Sequence, residues 1–427
     1  IILMAWNRKK ASIIKKAVEG EISSEVPATF LQLSDNVEFI LDQDAALDLT
    51  RFNTPWLARD CDWTPELTRK AVIWLARHLK KPILKLTEDD YNNNGMAQLA
   101  TEQGPVYDIN IDIFNKLQHT ITGWPGGKPN ADDSQRPERA NPDKKRSIVF
   151  SPHPDDDVIS MGGTFIRLAD QGHEVHVAYQ TSGNTAVWDD DVLRFVEFNI
   201  DFSEKMGIDQ TAMRKTYDEM REFMANKRPN QIDSEEIKLV KGLIRKGEAI
   251  AGARFSGLPD ENIHFQALPF YETGKVKKNP VSDIDVELTM ELLQKVKPHQ
   301  VFAAGDFEDP HGTHIVCFNI IVEALRRLKV TEDWVNDCWL WMYRGAWHEF
   351  EPHEIEMAVP LSPKEVERKK LAIFKHQSQK DIPVFPGDDP REFWQRAEDR
   401  NRETAKIYDD LGLADYEAME AFVRYHY

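Results

Sequence analysis

The chain has 427 residues, 41% of them hydrophobic, with 11 tryptophans and a formal net charge of -18. That length allows about two or three domains and an ample core, while the acidic balance argues against nucleic acid or an anionic membrane surface as a partner. Only three cysteines occur, Cys61, Cys317 and Cys338, without paired spacing; this excludes a cysteine-rich zinc site and fits a reducing cytoplasm, and no signal peptide or apolar run of roughly 18 residues is present.

In chain order, Ile1–Trp6 predicts a strand, Lys9–Glu19 a helix and Asn36–Asp42 a second strand. A start in mid-strand, without an initiator methionine, reads as a fragment. Ala17-Val18-Glu19-Gly20, Val26–Gln32 and Asp42-Gln43-Asp44 resemble the C-terminal end of glucosamine-6-phosphate deaminases over residues 1–55. The resemblance implies a small α/β remnant of that domain and puts Lys10 at a lysine that contacts the sugar phosphate. A solvated basic helix start formed by Arg8, Lys9 and Lys10 is the plainer reading of the same run. The rest of a deaminase site would lie upstream, so deamination by this chain alone is not expected.

Residues 56–108 read as a helical extension, with helical periodicity over Trp56–Leu86 opened by Thr64-Pro65-Glu66. Residues 109–142 read as a linker, because the run from Gly123 to Pro142 is rich in glycine, proline and charge. Trp124 could still pin it to a domain. A single larger domain is expected over 143–427.

That domain opens with a short apolar run, Ser147–Phe150, followed by Ser151-Pro152-His153-Pro154-Asp155-Asp156-Asp157. A helical stretch from Met161 to Gly172 and an alternating strand, His173–Gln180, come next and stop at Thr181-Ser182-Gly183-Asn184. Strand, acidic turn, helix and strand make a βαβ unit, in which ligands gather at the carboxyl ends of strands. Two readings of the acidic turn stand side by side. Its carboxylates could cap the following helix, or they could surround a cation that makes their burial tolerable. Residues 189–255 read as helical and polar, too long for a simple crossover, and are expected to form a cap or a homo-oligomer contact.

A second cluster, Asp306-Phe307-Glu308-Asp309-Pro310-His311-Gly312-Thr313-His314, again follows an apolar run and precedes an amphipathic one, Ile315–Leu325. Histidines three apart at a helix start project to one side. His153, one aspartate and His314 would give a divalent zinc three protein ligands and leave a position open for water. An aspartate and His311 remain for proton transfer and charge stabilisation.

In this order the two motifs resemble those of the PIG-L/LmbE-like zinc N-deacetylases. The family's His-Pro-Asp-Asp plus acidic residue is matched by His153–Asp157, and its His-Pro-Asp-His by His311-Gly312-Thr313-His314, where Thr313 replaces the acid. The resemblance implies a Rossmann-like, mostly parallel sheet flanked by helices. It also implies zinc, with iron or manganese as alternatives, on His153, Asp156 and His314, a general base at Asp155 and an oxyanion-stabilising His311. His376, after the capping box Ser362-Pro363-Lys364-Glu365, is a weaker substrate-side candidate, as a lone histidine on a helix is more often structural. Arg254 and Arg344 could hold hydroxyls or phosphate, although most arginines are solvated surface groups. Asp157, Asp306 and Asp309 could orient the histidines as hydrogen-bond acceptors.

The two resemblances together imply a deaminase-like module followed by a deacetylase-like one, removing acetate from an N-acetylglucosamine derivative, phosphorylated or not. The rival expectations are a deaminase-like protein whose C-terminal region only binds sugar or assists assembly, and a metal site acting on another amide.

Overall fold

The computed structural model describes residues 1–130, 134, 142, 144–228, 231–275, 278–307, 312–345, 348–380, 384 and 389–427. They fall into two compact units, Ile1–His119 with Ile407–Ala414, and Thr120–Lys406 with Asp415–Tyr427.

In the first unit, β1 (Ile2–Ala5) pairs in parallel with β2 (Glu38–Leu41). The helix Ala11–Glu19 buries Ala11, Ile14 and Ala17, one face at the spacing of a helical turn. The helix Pro65–Leu79 starts where its sequence announces it: the Thr64 side chain accepts from the Leu67 N–H, and Pro65 occupies the first turn, where no amide proton is missed. Val106–Thr120 forms a 15-residue helix across the first part of the stretch expected as a linker. Its Asn110 is buried yet satisfied, accepting from the Tyr91 hydroxyl at 2.8 Å and donating to the Leu86 carbonyl at 2.9 Å.

The second unit is a mixed α/β layer structure around a mostly parallel sheet. Its strands are β3 (Arg146–Ser151), β4 (Glu174–Tyr179), β5 (Ile263–Phe265), β6 (Gln300–Ala304), β7 (Trp339–Tyr343), β8 (Met357–Leu361) and β9 (Ala418–Tyr425). They lie in the order β5-β4-β3-β6-β7-β9-β8, and β9 runs antiparallel to both of its neighbours. The strands are apolar on both faces because both are covered. Val149 and Val177 pack with the helix Asp156–Asp170 on one side, and Ile148, Phe150 and Ala178 pack with the helix Thr313–Lys329 on the other. Full burial of one such side chain contributes about 1.5–3 kcal/mol, so Phe150→Ala would cost about 3–5 kcal/mol. The chain proceeds from β3 to β4 and β5 in one direction and from β6 to β7 in the other. The crevice between the carboxyl ends of β3 and β6 is therefore a topological switch point.

Two peripheral features complete the unit. Residues 121–127 are fixed to it by backbone groups: the Thr122 N–H donates to the Ala358 carbonyl at 2.8 Å and the Gln300 side chain to the Pro125 carbonyl at 2.9 Å. Trp124 itself stays partly exposed. The long insertion forms three helices, Asp189–Lys205, Thr211–Ala225 and Glu235–Phe255, around Val192, Val196, Ile200, Met220 and Ile237.

The helix Asp156–Asp170 is broken at Met161, whose φ of -132° and ψ of 27° leave the helical region. The break frees the amides of Gly163 and Thr164, and Glu420 from β9 accepts both, at 2.9 and 2.6 Å. Gly163 gives the room for this packing, since an added Cβ would stand 2.6 Å from the Leu361 side chain, which would have to shift. Lys369 closes the group, donating to Glu420 at 2.7 Å and to Asn401 at 2.8 Å, with all three side chains buried. Among the described residues no helix is long and apolar enough to cross a membrane.

Candidate metal centre

β3 ends at Ser151, and prolines at 152 and 154 withhold the amide protons that would extend strand or helix. The turn is tied instead by Ser151, whose Oγ donates to the His153 carbonyl at 2.6 Å and accepts from the Asp157 N–H at 3.0 Å. Asp155 stands at the N-cap of the following helix but makes no side-chain cap bond. Its Oδ1 lies 3.0 Å from Arg245 Nη2 instead. Asp156 turns back toward the strand: its Oδ2 accepts from the His153 N–H at 2.8 Å and lies 3.2 Å from His153 Nδ1. Helix capping thus does not account for where these two carboxylates point.

From the neighbouring strand β6, the chain passes through Gly312 in a left-handed conformation, φ 65°, into the helix Thr313–Lys329. The buried His314 in its first turn brings Nε2 to 3.3 Å from Asp156 Oδ2 and 3.3 Å from His153 Nδ1. One ligand atom from each of His153, Asp156 and His314 lies within 4.8 Å of the others. Two imidazole nitrogens and a carboxylate oxygen directed at one point form a donor set that suits a divalent ion such as zinc.

Burial works to raise all three aspartates, and their neighbours then separate them. For Asp156 the His314 and His153 imidazoles outweigh burial and hold the carboxyl well below its usual range. For Asp155 burial prevails over the adjacent Arg245, so this carboxyl binds its proton more tightly than a solvated one. Asp157 is pushed up to about 7 by burial, even though the Tyr179 hydroxyl donates to it at 3.0 Å and Ser151 Oγ stands at 3.2 Å.

Of the weaker candidates, His376 feels the charges of both Asp156 and Arg245. It is buried, its two ring nitrogens have no hydrogen-bond partner among the described residues, and burial and then Arg245 lower it to about 3, with Asp156 opposing. Its Nε2 lies 2.8 Å from where a Cβ on Gly252 would be, an approach only glycine permits. It stands beyond the helix Pro363–Ile373, in a non-helical conformation, rather than on a helix as its sequence suggests. Asp306 is buried at the end of β6, and Gly345, beside Arg344, faces it: an added Cβ there would be 3.3 Å from Asp306 Oδ2. Arg344 donates to the Glu349 carbonyl at 3.0 Å and stacks on Phe350. Arg254 does not fit the substrate-holding expectation, because it is exposed and its guanidinium is bound by Asp260, with one bond at 2.6 Å. Lys10 is an exposed residue of the other unit. His311 and Asp309 lie outside the described residues.

Sequence reasoning missed Arg245, a buried guanidinium on the helix Glu235–Phe255, and Glu248 one turn on, which accepts from the Ser378 N–H and hydroxyl at 2.7 Å each. The one available signal was an Arg-x-x-Glu pair inside a helix otherwise read as polar surface.

Residues 148–325 match the family model described as PIG-L, GlcNAc-PI de-N-acetylase. A glucosamine-6-phosphate deaminase-like protein of Bacteroides thetaiotaomicron is 53% identical over 427 residues, 100% of this chain and 64% of that protein. The chain thus spans less than two thirds of that relative. Its N-terminal segment matches the C-terminal ends of glucosamine-6-phosphate deaminases; with that of Streptococcus suis the identity is 53% over 49 residues, 12% of this chain and 21% of the enzyme. Among solved structures, N,N'-diacetylchitobiose deacetylase from Pyrococcus horikoshii gives a TM-score of 0.41 at 19% identity, covering 74% of this chain and 92% of that one.

Proposed function

We propose, from the match of residues 148–325 to the PIG-L family model, that this chain is a metal-dependent N-deacetylase of an N-acetylated amino sugar. The observation that carries the reading is the convergence of His153, Asp156 and His314, from two strand ends, on one point. These three would hold a divalent ion, zinc first, with iron or manganese as alternatives. When bound, such an ion acidifies water and polarises an amide carbonyl.

The chain's own groups supply the proton chemistry. Arg245 anchors one oxygen of Asp155 at 3.0 Å, leaving the other to take a proton from the attacking water and hand it to the leaving nitrogen as the C–N bond breaks. The raised proton affinity of Asp155 suits that exchange. His311, carried here by the family motif alone, would face the negative charge that develops on the carbonyl oxygen. Acetate and a free amine result.

The amino-sugar assignment draws on the N-terminal deaminase-like segment, because deacetylating an N-acetylglucosamine derivative yields the kind of amine that glucosamine-6-phosphate deaminases consume. The test is acetate release from N-acetylglucosamine and its 6-phosphate by metal-loaded protein, against chelated and Asp155→Asn controls. Release lost in both controls is expected. Silence on both sugars at full metal occupancy would overturn the substrate assignment and move the search to other amides. A second reading takes its support from the description of the Bacteroides relative: a deaminase-like protein whose C-terminal region only binds sugar or assists assembly. It requires that no metal bind and that His153→Ala leave every turnover unchanged.

A further inference from the structure

Acidic side chains outnumber basic ones in this chain by 72 to 54, so a buried cation has abundant potential partners. Lys278 nevertheless has none: among the described residues no carboxylate forms an ion pair or hydrogen bond with it, although its side chain is half-buried. The acid whose charge acts on it, Glu272, is bonded elsewhere. Its Oε1 accepts from the Ser182 N–H at 2.9 Å, and its Oε2 accepts from the Ser182 hydroxyl at 2.7 Å and the Asn184 side chain at 3.1 Å, which ties it to the loop after β4.

What holds Lys278 is an aromatic face. Its Nζ lies 3.6 Å from the centroid of the Tyr271 ring. Tyr271, itself buried, meets His153 edge-on at a centroid separation of 6.0 Å. One ring therefore contacts both the ammonium and the first residue of the candidate metal centre. Burying a charge without a counter-ion is costly, and here burial lowers the ammonium to about 8. A cation–π contact offsets only part of that cost. A cation kept in this state beside a reaction site is suited to an anion that arrives with the substrate.

We propose that Lys278 receives a phosphate carried on the amino sugar whose acetamide lies at His153, Asp156 and His314. The inference rests on the deacetylase reading above and narrows its substrate to a hexosamine phosphate. In a pyranose, C2 and C5 face each other across the ring, so an acetamide on C2 and a phosphate on C6 lie at opposite ends of one molecule. Two ends are what the metal cluster and Lys278, both joined to Tyr271, would engage.

The experiment compares kcat/KM for N-acetylglucosamine, its 6-phosphate and its 1-phosphate in the wild-type chain, Lys278→Gln and Lys278→Arg, with thermal melts to verify folding. A charge-assisted hydrogen bond predicts a preference of about tenfold to a hundredfold for the 6-phosphate. Lys278→Gln should abolish that preference mainly through KM, and Lys278→Arg should restore most of it. A wild-type chain indifferent to the 6-phosphate, one that favours the 1-phosphate, or a preference that survives Lys278→Gln would overturn the proposal. If no sugar is hydrolysed, the deacetylase reading has failed separately, and calorimetric titration of metal-free protein with glucosamine 6-phosphate and glucosamine decides. Tighter binding of the phosphate that weakens at least tenfold in Lys278→Gln supports the site, and equal binding by both proteins refutes it.

Discussion

Two groups of buried charge lie along one helix, Asp156–Asp170, and they are built on opposite plans. At the break after Met161, Glu420 receives two backbone amides and the Lys369 ammonium, while Lys369 also reaches Asn401. The Glu420 carboxylate there meets the Lys369 ammonium, and both of its oxygens accept hydrogen bonds. In the first turn three buried aspartates stand in sequence, with two imidazoles at one oxygen of Asp156 and Arg245 the ion-paired partner of Asp155. Burial there pushes Asp157 up to about 7 and raises Asp155 as well. The contrast separates two uses of buried charge. A group closed within the protein fixes architecture, whereas a surplus of carboxylates in the same low dielectric invites a cation from outside.

The strongest way to break this comparison is His314→Ala. It should abolish both metal binding and acetate release while leaving the circular dichroism spectrum intact; metal retained at full stoichiometry would remove the cluster from consideration. Next comes Asp155→Asn, expected to keep the metal and to lower turnover by about 10²–10⁴-fold. Equal metal loss in the two variants would contradict their separate roles. Third, Lys369→Met strands a buried carboxylate and should cost about 3–5 kcal/mol in urea unfolding, with metal stoichiometry unchanged.

The smallest effect is a pH dependence that sharpens the same contrast. Burial works to raise Glu420, but Lys369 prevails and holds it below the ordinary glutamate value of 4.5. A carboxyl lowered in the fold contributes stability that is fully present above its unfolded value and is lost as pH falls through its folded one. The stability gap between the wild-type chain and Glu420→Gln should therefore be constant from pH 7 to 5 and narrow below about 4.5. Urea midpoints that stay equally spaced down to pH 3 would show that Glu420 contributes nothing through its charge.

Much of this was legible in sequence because it is local. The runs ending at Ser151 and Ala304 are apolar and bounded by turn residues, so both strands, both following helices and the candidate ligands at their junctions could be placed. Their convergence also followed, since two strand ends of one parallel sheet can share a crevice. What escaped is tertiary. Arg245 reaches Asp155 only because the inserted helices fold back over the sheet, and a helix with weak amphipathic contrast does not advertise which arginine turns inward. Arg254, picked from the same helix, shows the error in reverse, as its partner Asp260 is six residues away and on the surface. The Gly162-Gly163 pair was read as helix, and only the packing of Leu361 and the carboxylate of Glu420 turn it into a break.

That break also sets an order of events during synthesis. Gly163 and the Glu420 that caps it are 257 residues apart, and β9, which carries Glu420, inserts between β7 and β8. At ~5–20 residues per second a ribosome needs about 13–50 s to cover that interval. Until that strand arrives, the helix that begins at the first motif has an uncapped second turn, and once β7 and β8 have been made their facing edges have no partner. The nascent chain therefore carries an uncapped turn in the helix after its first motif and, late in synthesis, two open strand edges, and both are resolved by the arrival of one late strand.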